Sequence, residues 1–405
     1  MGILLLFAGI TALGLLAYAF QIWAIRAHVS QPLVHSGEES SLPRFFLPVS
    51  VLKPLKGLDD NLFDNLESFC LQDYPQYEVI FCLQDYNDPA YKVARKIRDK
   101  YPDKDISILV ERCDAGLNPK VNNLIPAYKV AKYPGVLISD SNVLVDKEYL
   151  KSIAGYMENP EVGLVSNLIK GTGGRSIGAI LENLHLNSFV MGSVCFLDKC
   201  LKMPCVVGKS MLMRKSDLEA MGGFNAVKDV LAEDYFIGKK MHESGRKVVL
   251  SSYRIQNVNE YWDLGRFLNR HTRWGKLRWR IGGAAYISEL IANPVFMSLL
   301  SMLLWGPSAV TVSFTMLVSL IKIAGDFYIG RKAGAAQRNP LFYLLSPVKD
   351  ILIGLIWFVP LFSSTVAWRG NKYIIGKNSM LYPRASTGVW SWSYRVVNAL
   401  KERFA

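Results

Sequence analysis

The sequence predicts an α/β domain with a mostly parallel sheet, combined with membrane helices near both ends of the chain. Half of the 405 residues are hydrophobic, which is enough for one large domain and several bilayer spans. Short apolar runs alternate with helical patterns in the middle of the chain, whereas long apolar stretches lie near its ends. Alternating strands and helices favour a parallel sheet, whose ligands bind beyond the carboxyl ends of the strands.

The amino-terminal apolar segment predicts a membrane anchor over residues 1–26. No residue from Ile3 to Ile25 is charged, and a helix of that length crosses the hydrocarbon layer. A cleaved signal peptide is the alternative, but no basic segment precedes the apolar run and no small-x-small site closes it. We therefore expect a retained anchor, followed by a polar linker over residues 27–46.

The α/β domain is expected over residues 47–260. Its strands are predicted from short apolar runs that are rich in β-branched residues. They are Val49–Lys53, Glu78–Leu83, Ile106–Val110, Gly135–Ser139, Glu161–Val165, Val206–Met213 and Lys247–Ser251. The six cysteines include no C-x-x-C pair and no Cys/His spacing typical of zinc, which favours reduced thiols in a cytosol-facing domain.

A basic amphipathic segment over residues 261–290 is expected to lie at the membrane surface. Leu264–Ser288 contains six basic and no acidic residues, a pattern typical of the cytoplasmic side of a bilayer. The excess of 47 Lys and Arg over 34 Asp and Glu is thus better explained by anionic lipid than by nucleic acid. The sequence therefore predicts an integral membrane protein whose soluble domain faces the cytoplasm.

Transmembrane helices are expected over residues 291–368, before a basic tail over residues 369–405. Pro294–Ile323 carries only Lys322 as a charge, and Pro307 divides it into a helical hairpin or a re-entrant segment. Ile351–Trp368 is a further candidate span. Basic residues favour the cytoplasmic side, but those between the candidate spans and those in the tail support different counts, so the total is three or four spans.

Polar side chains follow two of the predicted strands. Asp88 lies in Gln84-Asp-Tyr-Asn-Asp-Pro-Ala90, where Asp followed by Pro is typical of a helix cap and contact with a nucleotide is the alternative; one residue can do both. Asp140 and Asn142 end the strand-like run Gly135-Val-Leu-Ile-Ser-Asp-Ser-Asn142. They are either turn residues or oxygen ligands of Mg or Mn beside substrate phosphates.

Two further motifs suit chemistry on a charged donor. Asp234, in Leu231-Ala-Glu-Asp-Tyr-Phe236, is either an acidic first turn of a helix or a general base for an acceptor hydroxyl, with Glu233 as its competitor. Arg270, Arg273 and Trp274 have helical spacing. Arginine forks suit phosphate oxygens and a Trp face can cover a sugar or a lipid entrance, whereas interfacial snorkelling and anchoring are the structural alternative.

In this order, the motifs resemble those of the ceramide glucosyltransferases, membrane-bound enzymes with three signature aspartates and a (Q/R)xxRW element. Asp88, Asp140 and Asp234 match the aspartates, and Arg270-His-Thr-Arg-Trp274 matches the last element. The resemblance extends over almost the whole chain. It includes Asn118-Pro-Lys-Val-Asn-Asn-Leu124, Met213-Arg-Lys215 and Trp368-Arg-Gly370.

The resemblance implies a GT-A domain in which Asp88 and Asp140 hold uridine diphosphate with a divalent Mg or Mn, and Asp234 is the base. It places Arg270, Arg273 and Trp274 at the diphosphate and acceptor end. The implied reaction is inverting transfer of glucose from UDP-glucose to ceramide in the bilayer, which forms glucosylceramide.

Other functions stay open at this point. Because the motifs recognise diphosphate rather than sugar hydroxyls, the donor could carry an N-acetylhexosamine or another hexose, and the acceptor could be a hopanoid or another membrane alcohol. A non-catalytic scaffold that only binds nucleotide sugar is the alternative from another class. The three aspartates argue against the scaffold, since it has no chemical need for a base.

Overall fold

An eight-stranded sheet forms the centre of the protein in the computed structural model, which describes residues 2–32, 46–368 and 370–384. Its strands are β1 (Val49–Pro54), β2 (Tyr77–Leu83), β3 (Ile106–Val110), β4 (Gly135–Ser139), β5 (Val143–Leu144), β6 (Val162–Gly173), β7 (Ser210–Arg214) and β8 (Lys247–Asn259). Their order is β3-β2-β1-β4-β7-β6-β8-β5, and only β5 and β7 run against the others. The predicted mostly parallel sheet is confirmed.

Two strands extend well beyond their predicted ends. β6 continues to Gly173 and β8 to Asn259, and the two pair in parallel along most of their length. The extensions contain Asn, Ser, Gln and Gly, so an apolar pattern stops short of them. Pairing between the two strands provides hydrogen-bond partners for the backbone N–H and C=O groups of these polar segments.

Helices cover both faces of the sheet and continue into the membrane region. They are α1 (Gly2–Val29), α2 (Leu62–Cys70), α3 (Pro89–Lys100), α4 (Pro119–Val130), α5 (Tyr149–Ala154), α6 (Ile177–His185), α7 (Met191–Cys200), α8 (Lys215–Ala220), α9 (Glu233–Glu243), α10 (Leu264–Gly282), α11 (Ile287–Ile291), α12 (Pro294–Trp305), α13 (Ala309–Lys332), α14 (Ser346–Trp357) and α15 (Val359–Phe362). Val51 and Leu52, neighbours on β1, belong to separate buried clusters, because successive strand residues face opposite sides.

Four described helical segments are long and apolar enough to cross a membrane: Leu5–Val29, Ile177–Cys200, Ala309–Lys332 and Pro340–Phe362. A fifth is formed if α10–α11 and α12, which meet at a bend of 70°, count as one span. The segment Ile177–Cys200 was not predicted as a helix, and 67% of its apolar window is buried within the protein. It packs through α7 against α1, which also lies along α12.

The structure corrects the carboxyl-terminal end of the predicted membrane region. The break at Pro307 is confirmed, because α12 ends at Trp305 and α13 begins at Ala309. The expected span Ile351–Trp368 is wrong at both ends: the helical segment begins at Pro340 and ends at Phe362. Beyond it, the last residues of the expected membrane region form strand β9 (Thr365–Trp368), and part of the expected basic tail forms β10 (Asn371–Ile375) and β11 (Leu381–Pro383). Residues 33–45 of the predicted linker, and residues 369 and 385–405 of the tail, lie outside the described residues.

A buried group of charges ties the membrane helices together. Lys322 and Asp326 of α13 face Lys349 and Asp350 of α14. Asp326 lies 2.5 Å from the Lys322 Nζ and 3.3 Å from the Lys349 Nζ, and Lys349 lies 2.9 Å from Asp350. The Tyr18 hydroxyl of α1 donates to Asp326 at 2.7 Å. Each charge thus has a partner of opposite sign, as an apolar environment requires.

We predict that Lys349→Met destabilises the protein by about 3 to 5 kcal/mol, because Asp350 and Asp326 lose a buried partner. The double variant Lys349→Met/Asp350→Leu removes one charge of each sign and keeps the Lys322–Asp326 pair, so it should recover most of the loss. Thermal unfolding in detergent micelles measures both effects. A single variant as stable as the unmodified protein would contradict this role for the cluster.

Candidate active site

A cavity of about 1630 Å³ opens at the carboxyl end of β4 and extends to the membrane helices. Side chains that line it come from the segments after β1 and β4 and from α4, α7, α9 and α10. Among them are Asp59, Lys120, Asp140, Asn142, Lys209, Glu233, Asp234, Arg270, Arg273 and Trp274. Six of the seven predicted site residues therefore meet in one cavity, as expected for a mostly parallel sheet.

Lys120 connects two of the predicted acidic motifs. Its Nζ lies 2.9 Å from Asp140 and 2.9 Å from Glu233, and it donates to the carbonyl of Gly208 at 2.9 Å. Burial by itself would lower the pKa of Lys120, but the two carboxylates outweigh burial and raise this pKa well above its ordinary value. Asn118 caps α4 and also donates to Glu233 at 3.2 Å, so the Asn118-Pro-Lys120 segment holds both motifs in place.

Asp140 and Asn142 each place a side-chain oxygen next to the ammonium group of Lys209. The Lys209 Nζ lies 2.9 Å from the Asp140 Oδ2 and 2.8 Å from the Asn142 Oδ1. Burial favours the protonated acid, but Lys120 and Lys209 hold the pKa of Asp140 well below its ordinary range. Asp140 is therefore a permanent anion at the point where both predicted metal ligands converge.

The chemistry of this donor set fits a hard divalent ion such as Mg or Mn, which prefers oxygen ligands. The described part of the chain has no cluster of three or more His, Cys, Asp or Glu side chains that could hold a metal. The oxygens of Asp140 and Asn142 would be the protein ligands of such an ion, and phosphate oxygens and water would complete its coordination shell. This arrangement is typical of an ion that binds together with a phosphorylated substrate.

Asp234 lies at the start of α9 with its carboxylate against the backbone. Its Oδ2 accepts a hydrogen bond from the Gly208 N–H at 2.9 Å and its Oδ1 from the Tyr235 N–H at 2.8 Å. Any Cβ at Gly208 would overlap this carboxylate, so only glycine permits the contact. Burial, helped by the neighbouring Glu233 and opposed by Lys120, raises the pKa of Asp234 to about 6. A carboxylate with a pKa near neutrality suits a general base.

Arg270 is held between two tryptophan rings in α10 and the segment before it. Its guanidinium carbon lies 5.1 Å from the centre of the Trp262 ring and 4.4 Å from that of Trp274. Its Nη1 lies 3.2 Å from Glu182, and its buried Nε has no hydrogen-bond partner among the described residues. A buried arginine in a cavity wall suits an anionic ligand.

Glu182 is a site residue that the sequence analysis missed. This fully buried carboxylate of α6 pairs with Arg270 and lies 2.7 Å from the His271 Nε2. The available signal was one acidic residue inside the apolar run Ile177-Gly-Ala-Ile-Leu-Glu-Asn-Leu184, because a buried charge requires a partner. Lys120 and Lys209 were also missed, since neither motif shows which distant carboxylate its lysine contacts.

Arg273 and Asp88 are the remaining residues that were predicted to contact the nucleotide-sugar donor, and their surroundings differ. Arg273 lines the cavity, with its guanidinium carbon 5.7 Å from the centre of the Trp368 ring. Asp88 does not line it: its Oδ1 accepts from the N–H groups of Ala90 and Gly57 at 3.0 and 2.9 Å. Asp88 thus caps α3, and Asp85, rather than Asp88, lines the cavity. Direct contact of Asp88 with the donor stays a prediction.

Carboxylates and cations gathered at one edge of a mostly parallel, helix-covered sheet are compatible with a GT-A glycosyltransferase. The chain belongs to Glycosyl transferase family 21, whose profile it matches over residues 6–381. It is similar to two Caenorhabditis elegans proteins, ceramide glucosyltransferase 3 (29% identical, covering 85% of this chain and 76% of that protein) and ceramide glucosyltransferase 1 (30% identical, covering 83% and 75%).

The fold is also found in a solved structure, the mannosyltransferase PcManGT from Pyrobaculum calidifontis in complex with GDP-Man and Mn²⁺. That protein is 16% identical, with a TM-score of 0.50 over 88% of this chain and 99% of its own. The GT-A fold expected from the resemblance is therefore confirmed, as is membership of the family. The chain is a hexosyltransferase-type enzyme with membrane helices at both ends.

We predict that the ionisation of Asp234, as the expected base, sets the acidic limb of the pH profile. Asp234 must be deprotonated to accept a proton, and its pKa is raised to about 6. Turnover at saturating substrate should therefore rise with pH through about 6 and level off above pH 7, with roughly tenfold lower turnover at pH 5. Initial rates between pH 5 and pH 8 measure this limb. A rate that stays constant down to pH 5 would show that another group accepts the proton.

Proposed function

We propose that this enzyme transfers glucose from UDP-glucose to the primary hydroxyl of ceramide, with inversion at the anomeric carbon, and forms glucosylceramide. The observation that carries this proposal is a single cavity with a charged end at the sheet and an apolar end among the membrane helices. A nucleotide sugar needs the first end and a lipid alcohol needs the second. The names of the two worm relatives agree with this substrate pair.

The charged end suits a nucleoside diphosphate. Lys209, Arg270 and Arg273 line it and supply positive charge for the leaving diphosphate. When Mg or Mn is bound, with Asp140 and Asn142 as its protein ligands, it adds charge neutralisation at the phosphates. Trp262 and Trp274 flank the Arg270 guanidinium and limit its contact with water, while Glu182 holds it in place at the cavity wall.

Asp234 suits the transfer step itself. Its carboxylate takes the proton of the lipid hydroxyl while that oxygen bonds to the anomeric carbon of glucose. The bond from this carbon to the diphosphate oxygen breaks in the same displacement, so UDP leaves with the electron pair. One displacement inverts the configuration at carbon.

The apolar end suits the chains of a membrane lipid. Val190, Val194 and Leu197 line it beside α1, and Leu201 and Ile291 form part of its rim. Leu201 is 52% exposed and Ile291 is 36% exposed, although both also face the cavity. The cavity therefore has an apolar mouth next to the helices that are long enough to span a bilayer.

We infer that the catalytic domain faces the cytoplasm, where UDP-glucose is available. The basic residues of Leu264–Ser288 support this orientation, because basic segments next to membrane helices favour the cytoplasmic side. The six cysteines, all free, agree with a reducing compartment.

The reaction is tested with full-length protein in lipid nanodiscs, a panel of radiolabelled UDP-sugars, and ceramide, hopanoid and diacylglycerol as acceptors. We expect label from UDP-glucose in ceramide. Asp234→Asn should lower kcat roughly 100- to 10,000-fold, because the base is lost, while the Kd for UDP-glucose changes little.

Each alternative has a distinct result in this experiment. Incorporation of N-acetylhexosamine, or label in the hopanoid, would replace the proposed substrate pair and leave the mechanism intact. Binding of UDP-glucose without transfer or hydrolysis in the presence of any divalent ion would indicate a scaffold. Near-normal transfer by Asp234→Asn would show that the base is wrongly assigned.

Removal of metal is a separate test. Excess EDTA should stop transfer, and Mg or Mn, but not zinc, should restore it, because the ligand set contains only oxygen donors. Asp140→Ala should weaken binding of UDP-glucose in the presence of metal and make it insensitive to EDTA. Full activity in EDTA, with unchanged donor affinity in Asp140→Ala, would show that lysine and arginine neutralise the diphosphate without a metal.

A further inference from the structure

The chain returns to the active site after its last membrane helix. Strands β9, β10 and β11 form a small antiparallel sheet in the order β11-β10-β9, which we call the C-terminal sheet. Ala367, Trp368, Asn371 and Tyr373 of this sheet line the cavity that holds Asp234 and Arg270. Two residues of the Trp368-Arg-Gly370 motif, which the proposed reaction leaves without a role, belong to this region: Trp368 ends β9 and Gly370 directly precedes β10.

The C-terminal sheet is hydrogen-bonded to the segment that carries Asp234. The Leu381 N–H donates to the carbonyl of Asp229 at 2.7 Å, and the Leu231 N–H donates to the carbonyl of Ser379 at 2.9 Å. The Ala232 N–H donates to the Ser379 hydroxyl at 3.1 Å. Ala232 is the N-cap of α9 and has no side chain that could stabilise the helix start. Ser379 therefore fixes the backbone two residues before Asp234.

The same sheet is attached to the helix that carries the arginines. The Lys276 Nζ of α10 donates to the carbonyl of Thr365 at 2.6 Å and to the Ser363 hydroxyl at 3.1 Å. One turn earlier on α10, the Arg273 guanidinium faces the Trp368 ring. A shared apolar cluster of Leu231, Val366, Tyr373, Ile375 and Leu381 lies between the two attachments. The C-terminal sheet thus joins the base segment to the arginine helix.

The backbone at Ser379 is specialised for this contact. Ser379 is fully buried and has a φ of 56°, in the left-handed region that residues other than glycine seldom adopt. Asn378 also has a positive φ, of 53°, but its side chain is exposed. Unfavourable backbone geometry persists where surrounding contacts maintain it, and here those contacts are the bonds to Leu231 and Ala232.

We propose that the C-terminal sheet maintains the geometry of the active site and that Ser379 is a positioning residue. Ser379 holds Asp234 at a fixed place relative to Arg270 and Arg273. Ser379 acts through the backbone of Ala232 and does not touch substrate. This inference rests on the proposed role of Asp234 as the base. It explains why a segment beyond the membrane helices is built into the wall of the cavity.

The test uses full-length protein in nanodiscs with UDP-glucose and ceramide. Ser379→Gly keeps a residue that tolerates positive φ and removes only the hydroxyl that accepts the Ala232 N–H. Asn378→Gly is the matched control, because it makes the same change at the adjacent left-handed position without a bond to the base segment. Ser379→Asn is the conservative variant, since Asn tolerates this backbone and has an amide oxygen that can accept a hydrogen bond.

We expect Ser379→Gly to lower kcat roughly three- to tenfold, as loss of one hydrogen bond predicts, with the KM for UDP-glucose unchanged. The acidic limb of kcat should also move to lower pH, because a loosened Asp234 is better hydrated and its pKa falls. Asn378→Gly should match the unmodified protein in both respects. Ser379→Asn should recover part of kcat and of the original pH limb.

Unchanged kcat and pH limb in Ser379→Gly would overturn the inference. A loss of activity that follows thermal stability, with the pH limb in place, would also overturn it, because it would show a merely structural role. The proposed function fails in a different way, if unmodified protein transfers no glucose to ceramide or if Asp234→Asn stays active. The Ser379→Gly variant decides the role of the C-terminal sheet once unmodified protein transfers glucose to ceramide and Asp234→Asn is inactive.

Discussion

The ion pairs of Lys120 with Asp140 and Glu233 are the contacts on which the site depends. They join the start of α4, the end of β4 and the start of α9, three segments far apart in the sequence. Glu233 is buried and the other two side chains are partly buried, so removal of one partner leaves a poorly solvated charge without its counter-ion. The three segments are therefore held together. Lys209 adds a second cation at Asp140, and both lysines lie where a diphosphate and its ion would bind.

The sequence could predict the elements whose causes are local. The four strands β1 to β4 agree with their apolar runs to within a residue, and the polar residues at strand ends do meet in one cavity. Asp88 was harder, since an Asp-Pro pair is equally typical of a helix cap and of a site residue, and here both of its N–H partners are backbone groups. The partners of Glu182 and Lys120 depend on contacts between distant segments, which no local pattern encodes.

The C-terminal sheet shows even more strongly that a local sequence pattern does not reveal contacts between distant segments. A basic, polar stretch after a membrane helix is usually a solvated tail, yet residues 365–383 contain a sheet that contacts both the base segment and α10. The strands are short and their apolar residues pack on Leu231, outside the sheet itself. Their pattern therefore has meaning only once the α/β domain is in place.

We propose that one cavity brings a nucleotide sugar and a lipid alcohol together at Asp234. A structure of the protein in nanodiscs with UDP and a ceramide analogue tests it most directly. We expect the diphosphate to lie between Asp140 and the arginines of α10, and the lipid chains to lie along α7. The primary hydroxyl of the lipid should lie within hydrogen-bond distance of the Asp234 carboxylate. A lipid whose hydroxyl lies away from Asp234, or whose chains lie outside the cavity, would contradict it.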